Sequence, residues 1–470
     1  MRVLFIYPDV GKGCGGFQQG IGSISSVLKG NGHQTSLLHV TKDITQNRLI
    51  KEVKGSRYDL IAFSSTTHQY PYVEKYSNWI KEKFETPIIC GGVHATLCPD
   101  QVLSCKSIDM VCVGEGEYPM LELANGLEKG EAIDNIQNLW IKKKDTIIRN
   151  PVRPLISNLD ELPFPDRELF NFKDLLKKGA LGALGSPAEF IAGRGCPYNC
   201  SYCCNSVLKE FYKGKGTYLR IRSVENLLAE IREVTERYDV KRIIFHDDTF
   251  TLFQRWIDEF SEKYPKEIDL PFWCNGRVET LNRQIISSLK KAGCEQILIG
   301  IESGNEWLRR VVLKRPMTNQ QIIDVFRAAR EVGLKTLSFN MVGIPFETPE
   351  MIRETIELNK LIKPDDIQVS VFYPYPNTEL WNVCRENGFL TQDHVYSYFE
   401  DESILQQPTI SREEVRQFYR KFVNLALERT MEAHHPTIYK YLKPLLRPKV
   451  LRILRMVRNI FRPEKKNISY

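Results

Sequence analysis

A chain of 470 residues is too long for one compact core and predicts two or three domains. With 42% hydrophobic and 26% charged residues it reads as an ordinary globular protein, and no stretch approaches the roughly 20 apolar residues that a bilayer span requires. The net charge of +7 points to nucleic acid only until it is located: eight Lys and Arg residues and no acid lie between Tyr439 and Glu464, and without them the chain stands at −1.

The apolar run at the N-terminus is too short for a signal peptide and reads as a buried strand. Twelve cysteines without an export signal do not predict a disulfide scaffold, so the expected compartment is the reducing cytosol. Over the first 120 residues, Val3–Tyr7, Thr35–Val40, Leu60–Ser64, Pro87–Cys90 and Met110–Val113 read as strands. Helical patterns such as Gly20–Lys29 and Tyr72–Phe84 lie between them. Strands alternating with crossovers predict a doubly wound parallel sheet, which binds ligands beyond the carboxyl ends of its strands. The loops there are small or polar: Gly11–Gly16, Ser64–His68, Gly91–His94 and Gly114–Glu117. The first fits neither the dinucleotide nor the phosphate-loop spacing.

Pro151, Pro154, Pro163 and Pro165 then mark a linker. Beyond Gly185, Phe190–Ala192, Arg242–Phe245, Phe272–Asn275, Ile297–Ile301, Thr336–Met341 and Ile367–Phe372 read as six strands, each followed by a helical segment. The expected class is α/β. A doubly wound (Rossmann-like) parallel sheet domain occupies 1–145, a proline-rich linker 146–185 and a partial (β/α)6 TIM-type barrel 186–385. A helical C-terminal region follows over 386–470, ending in a basic amphipathic tail in which Val450, Ile453, Leu454, Val457, Ile460 and Phe461 share one face.

The segment Gly195-Cys196-Pro197-Tyr198-Asn199-Cys200-Ser201-Tyr202-Cys203 places three thiols within eight residues after a strand. Thiolates suit zinc or iron–sulfur clusters. A closed zinc site wants a fourth ligand, and the chain has no second Cys-x-x-Cys or His-x-x-x-His pair. Three ligands on a four-iron cube leave one iron open for substrate. The expected metal site is therefore a 4Fe-4S cluster on Cys196, Cys200 and Cys203, with structural zinc or packed thiols as alternatives. Cys274 and Cys294 read as packed thiols.

Cys-x-x-x-Cys-x-x-Cys with an aromatic before the last cysteine resembles the signature of the radical S-adenosylmethionine superfamily. The resemblance implies that the open iron chelates S-adenosylmethionine and that a 5′-deoxyadenosyl radical attacks a small-molecule substrate. It also implies an electron donor such as flavodoxin or ferredoxin. Further segments between about Glu189 and Leu380 carry it. Phe245-His246-Asp247-Asp248 implies Asp247 or Asp248 as the methionine-amino contact, a helix cap being the plainer alternative. Trp273-Cys274-Asn275-Gly276-Arg277 implies Asn275 and Arg277 near the nucleoside, against a salt bridge at the barrel mouth. Gly300-Ile301-Glu302 implies Glu302 on the ribose hydroxyls, and Asn340–Pro345 implies the adenine-side loop.

A doubly wound domain ahead of such a barrel resembles the cobalamin-binding subgroup, matching it at Gly91-Gly92-Val93-His94 and Gly114-Glu115-Gly116-Glu117. Ser65, His68, Gly91, Gly92, His94, Gly114 and Glu115 are then expected around the corrin. Asp-x-His-x-x-Gly, which places a histidine beneath cobalt, is absent, as in many of the subgroup. The resemblance implies methylation of an unactivated carbon or phosphorus centre, with radical cyclisation or oxidation as the alternative, and a noncatalytic binding module as a third. The tail suits an anionic membrane surface, so peripheral contact at the inner membrane face and a lipid-like substrate are expectations. Nucleic acid is not expected, since no aromatic platform is interleaved with the charges.

Overall fold

The computed structural model describes residues 1–10, 15–144, 146–178, 187–391 and 401–442. The loop at 11–14 and the basic tail beyond 442 lie outside the described residues. The chain divides into two compact units whose limits do not follow sequence order. The first holds Met1–Ala180, Phe190–Tyr238 and Pro374–Val383; the second holds Leu181–Glu189, Asp239–Tyr373 and Cys384–Tyr470.

In the first unit, β1 (Arg2–Tyr7), β2 (Gln34–His39), β3 (Leu60–Ser64), β4 (Ile88–Gly91) and β5 (Met110–Cys112) form the expected parallel sheet. The order is β2-β1-β3-β4-β5, extended by β6 (Leu139–Lys142) and β7 (Ile147–Arg149), which run antiparallel. Strand residues such as Ile6, Ile61, Phe63, Cys90 and Val111 are buried against Val73, Tyr76 and Ile80 of the helix Tyr70–Lys81 and Val102 of the helix Pro99–Ser104. Burial of apolar side chains at roughly 25 cal/mol per Å² is what holds these layers.

The proline-rich segment is anchored throughout this unit. Asp166 accepts a hydrogen bond from Ser25 Oγ and an ion pair from Lys29, both at 2.6 Å. Arg167 is buried, 3.0 Å from Glu230, with the rings of Phe17, Phe172 and Phe190 4.4–4.9 Å from its guanidinium. Proline fixes the backbone of the segment, while these two charges fix where it lies.

The second unit is built on a half-barrel sheet of six parallel strands in the order β15-β14-β13-β12-β11-β8. Its strands are β8 (Pro187–Phe190), β11 (Arg242–Phe245), β12 (Phe272–Gly276), β13 (Cys294–Glu302), β14 (Lys335–Val342) and β15 (Asp366–Val371). The short pair β9 (Gly193–Arg194) and β10 (Arg220–Ile221) belongs to the first unit. Strand alternation sorts the half-barrel side chains into two faces. Phe245 and Phe272 turn outward onto Phe260 and Tyr264 of the helix Gln254–Glu267. Ile367, Val369 and Val371 turn outward onto Phe418 and Phe422 of the helix Arg412–His434. Alternation then turns His246 and Asn275 to the inner face.

Glu347, in the loop after β14, is fully buried. Its Oε2 accepts from the amides of Gly343 and Ile344 at 2.6 and 3.2 Å, and Oε1 has no partner. Burial pushes this carboxyl up to about 8. Between about pH 4.5 and 8 the folded chain thus holds a proton that the unfolded chain has released, so its contribution to stability falls as pH rises through that window. Glu347→Gln is expected to flatten the decline in melting temperature between about pH 5 and 8. Identical pH slopes in parent and variant would contradict the assignment.

Candidate active site

The three-cysteine motif is a loop between β9 and the helix Cys204–Phe211, in the same compact unit as the N-terminal sheet. Gly195 starts it at φ +90, where a Cβ would stand 2.5 Å from the Tyr218 carbonyl oxygen. Glycine alone fits that backbone. Cys196 and Cys200 are buried and Cys203 is partly exposed; none of the three is in a disulfide. Cys203 occupies the N-cap of the helix, and its amide donates to the Cys200 carbonyl at 3.2 Å. A thiolate there gains from the helix dipole. Lys209, on the same helix, donates to the Pro197 carbonyl at 3.0 Å and to Asn199 Oδ1, closing the loop from the other side.

The strand-end residues expected around the corrin are also in this unit, and the structure brings most of them together. Gly92 has φ +93, and a Cβ on it would come within 2.8 Å of the Ser65 backbone. The Ser65 amide donates to the Gly91 carbonyl at 3.2 Å, and the His94 amide donates to the Ser65 carbonyl at 3.1 Å. Ser65 Oγ is buried without a hydrogen-bond partner. The His94 ring lies 4.3 Å from Tyr70, with Nδ1 3.3 Å from Thr67 Oγ1. His68 Nε2 is 3.3 Å from the Tyr375 hydroxyl. The Gly114 amide donates to Thr96 Oγ1 at 2.9 Å. Glu115 is engaged by Arg194 at 2.9 Å, Arg220 at 2.9 Å and the Ile156 amide at 3.0 Å.

The residues expected around S-adenosylmethionine are in the second unit, at the carboxyl ends of the half-barrel strands. Asp247 is buried and Asp248 exposed just past β11. Neither caps the next helix, whose N-cap is Phe253, so the capping alternative fails. Asn275 Nδ2 donates to the Asp247 carbonyl at 2.9 Å, tying β12 to that turn. Arg277 is buried and forms the salt bridge to Glu279, at 2.6 Å. Burial alone would raise the Glu279 carboxyl, but Arg277, with Arg315 and a backbone amide, offsets it and holds it below the usual range. Glu302 sits at φ +67 at a register shift between β13 and β14. A non-glycine residue costs roughly 1–3 kcal/mol in such a conformation, a cost that clusters at functional sites. Arg315 braces it, donating to the Gly300 carbonyl at 2.6 Å and lying 3.5 Å from Glu302 Oε1. Cys274 and Cys294 are packed together with their sulfurs 4.0 Å apart, and burial pushes the Cys274 thiol well up.

Sequence reasoning missed Arg315, Glu279 and the pair of Glu189 and His246, whose side chains meet at 3.1 Å at the ends of β8 and β11. Each is a single polar side chain in a loop or strand end, with no spacing to announce it.

Comparison with known proteins decides the family. Residues 190–358 match the model of the radical SAM superfamily, and residues 16–124 match that of the B12 binding domain. The chain belongs to the cobalamin-binding radical S-adenosylmethionine enzymes. An uncharacterised methyltransferase of Pyrococcus horikoshii is 29% identical over 434 residues, covering 90% of this chain and 91% of the relative. The anaerobic magnesium-protoporphyrin IX monomethyl ester cyclase of Rubrivivax gelatinosus is 25% identical, covering 81% and 69%. The radical S-adenosylmethionine methyltransferase TsrM of Kitasatospora setae shares the fold, with a TM-score of 0.67 at 17% identity over 90% of this chain and 85% of that one.

As a cobalamin-binding radical S-adenosylmethionine enzyme the chain uses a 4Fe-4S cluster, S-adenosylmethionine and cobalamin. The residues present fit them. Three thiols in one loop at the start of a helix form the soft donor set a cluster needs. Among the described residues no three His, Cys, Asp or Glu side chains are gathered to hold a single ion, an arrangement a cube ligated through three separate irons does not require. The orphaned Ser65 hydroxyl at the end of β3 suits a bound polar ligand there. No helix among the described residues is long and apolar enough to cross a membrane.

Proposed function

We propose that this enzyme methylates an unactivated carbon or phosphorus centre of a small molecule. The observation that carries the reading is a three-thiol loop packed in one unit with a B12-type sheet. When bound, the cluster supplies the electron that splits S-adenosylmethionine, and cobalamin supplies the methyl carrier. Cys196, Cys200 and Cys203 hold the cluster, with Cys203 oriented by the helix it caps. Asp247, fixed through Asn275, binds the methionine end. Glu302, held in its left-handed conformation beside Arg315, accepts hydrogen bonds from the ribose hydroxyls. Ser65, Gly92 and His94 line the corrin side. Methyltransferase names among the relatives support the reaction class.

With S-adenosylmethionine carrying a trideuterated methyl group, the product is expected to gain that group intact. A product that never gains a methyl unit overturns this reading in favour of ring closure or oxidation, which the cyclase relative supports. The substrate is lipid-like and met at an anionic bilayer through the basic stretch from Lys440 to Arg462. Full-length chain is expected to float with anionic liposomes, whereas a chain ending at Tyr439 stays behind; equal recovery would remove the membrane from the account.

A further inference from the structure

A buried carboxylate, a half-buried one and two guanidiniums meet between the cluster loop and the end of β5. Glu115 and Glu117 lie in the turn after β5, Glu117 opening the helix Glu117–Lys129. Arg194 ends β9, two residues before Cys196, and Arg220 faces it in register on β10. Arg194 reaches both acids, with Nη1 2.9 Å from Glu115 Oε1 and Nη2 2.5 Å from Glu117 Oε1. Arg220 Nη1 lies 3.1 Å from Glu115 Oε2 and 2.7 Å from the Ile156 carbonyl, and its Nη2 is 2.9 Å from Glu115 Oε1. Ser23 Oγ donates to Glu117 at 2.9 Å. The Tyr212 hydroxyl, just beyond the helix that follows the cluster loop, packs directly over Gly114 in the same turn.

A buried ion network of this kind contributes little net stability, because desolvating four charges offsets most of their attraction; well-packed apolar residues would hold the elements as firmly. What charges and fixed guanidinium forks add is geometry. Here the geometry links two particular places. The acids stand on a strand-end loop of the B12-type sheet, and the arginines flank the loop that carries the cysteines. Glu115 and Glu117, with their oxygens engaged by arginines, hydroxyl and amide, act through Arg194.

We propose that Arg194 is a positioning residue, which with Glu115, Glu117 and Arg220 fixes the cluster loop against the Gly114–Glu117 turn and so sets the distance between cluster and cobalamin. The inference rests on the assignment of the cluster to Cys196, Cys200 and Cys203. Its consequence is that losing the brace loosens this distance while both cofactors stay bound.

The test uses the full chain, reconstituted with iron, sulfide and hydroxocobalamin and then reduced to the paramagnetic cluster and cob(II)alamin. Pulsed electron paramagnetic resonance reads the distribution of distances between the two spins. The parent is expected to give one narrow distribution. Arg194→Gln is expected to broaden it roughly twofold, as a site without its supporting shell loosens, and Arg194→Lys, which keeps the charge but loses the fork, to fall between. Glu117→Gln serves as the second, nearly isosteric variant. Unchanged width in both Arg194→Gln and Glu117→Gln overturns the proposal. So does unfolding of both variants, by circular dichroism, which would make the network a matter of stability alone. Loss of the cluster with fold and cobalamin retained also overturns it, because the network would then serve cluster assembly and not the distance. A cluster that still assembles after alanine replaces all three cysteines sinks the ligand assignment instead, and is read separately.

Discussion

Alanine at Cys196, Cys200 or Cys203, one at a time, is expected to leave the anaerobically reconstituted enzyme without a stable four-iron cluster and without detectable cleavage of S-adenosylmethionine. On the proposed assignment each thiolate is one of three protein ligands to the cluster, and Cys204 is already the first residue of the helix that follows. Loss of a mere outer-shell partner costs a metal site roughly 10–100-fold in affinity, and loss of a ligand costs more. Iron and acid-labile sulfide analysis checks the outcome, and full iron occupancy in all three variants would contradict it. The same replacement at Cys274 or Cys294 is expected to leave iron content unchanged, because those thiols are buried against each other in the second unit.

Gly195→Ala is expected to be nearly as damaging, although it removes no ligand. The added Cβ meets the Tyr218 carbonyl oxygen at 2.5 Å, and φ of +90 suits only glycine. Backbone is on both sides of the clash, so relief requires moving the strand pair β9–β10 or the first cysteine. A conformation of this sort costs roughly 1–3 kcal/mol before the clash is counted. The expected result is iron content below half that of the parent, together with a lower melting temperature. Normal iron content and melting would show that the loop adapts and that its glycine is not required.

Much of the fold was legible because burial writes itself into strands. Leu60–Ser64 and Arg242–Phe245 are fully apolar or nearly so, and both strands end where the apolar run ends. The antiparallel strands β6 and β7 were not legible. They are short, and the sequence between them, Lys143-Lys144-Asp145-Thr146, carries no glycine or asparagine to mark a hairpin. The proline-rich segment read as a linker, since proline announces what the chain cannot be and says nothing of what Asp166 and Arg167 hold. The cysteines stood out by spacing alone. Arg194 and Glu117 did not: a charge that will be buried looks in sequence like any solvated one, and only the partner 77 residues away distinguishes it. Grouping the cluster loop with the first unit was hidden for the same reason, being written in long-range contacts.

The central claim is that three cysteines hold a cluster that cleaves S-adenosylmethionine. Mass spectrometry for 5′-deoxyadenosine tests it most directly, after anaerobic reconstitution with iron, sulfide, cobalamin and S-adenosylmethionine and reduction by a strong reductant. The account predicts 5′-deoxyadenosine from the parent and none from the variant in which Cys196, Cys200 and Cys203 are all alanine. Equal formation by both would contradict it.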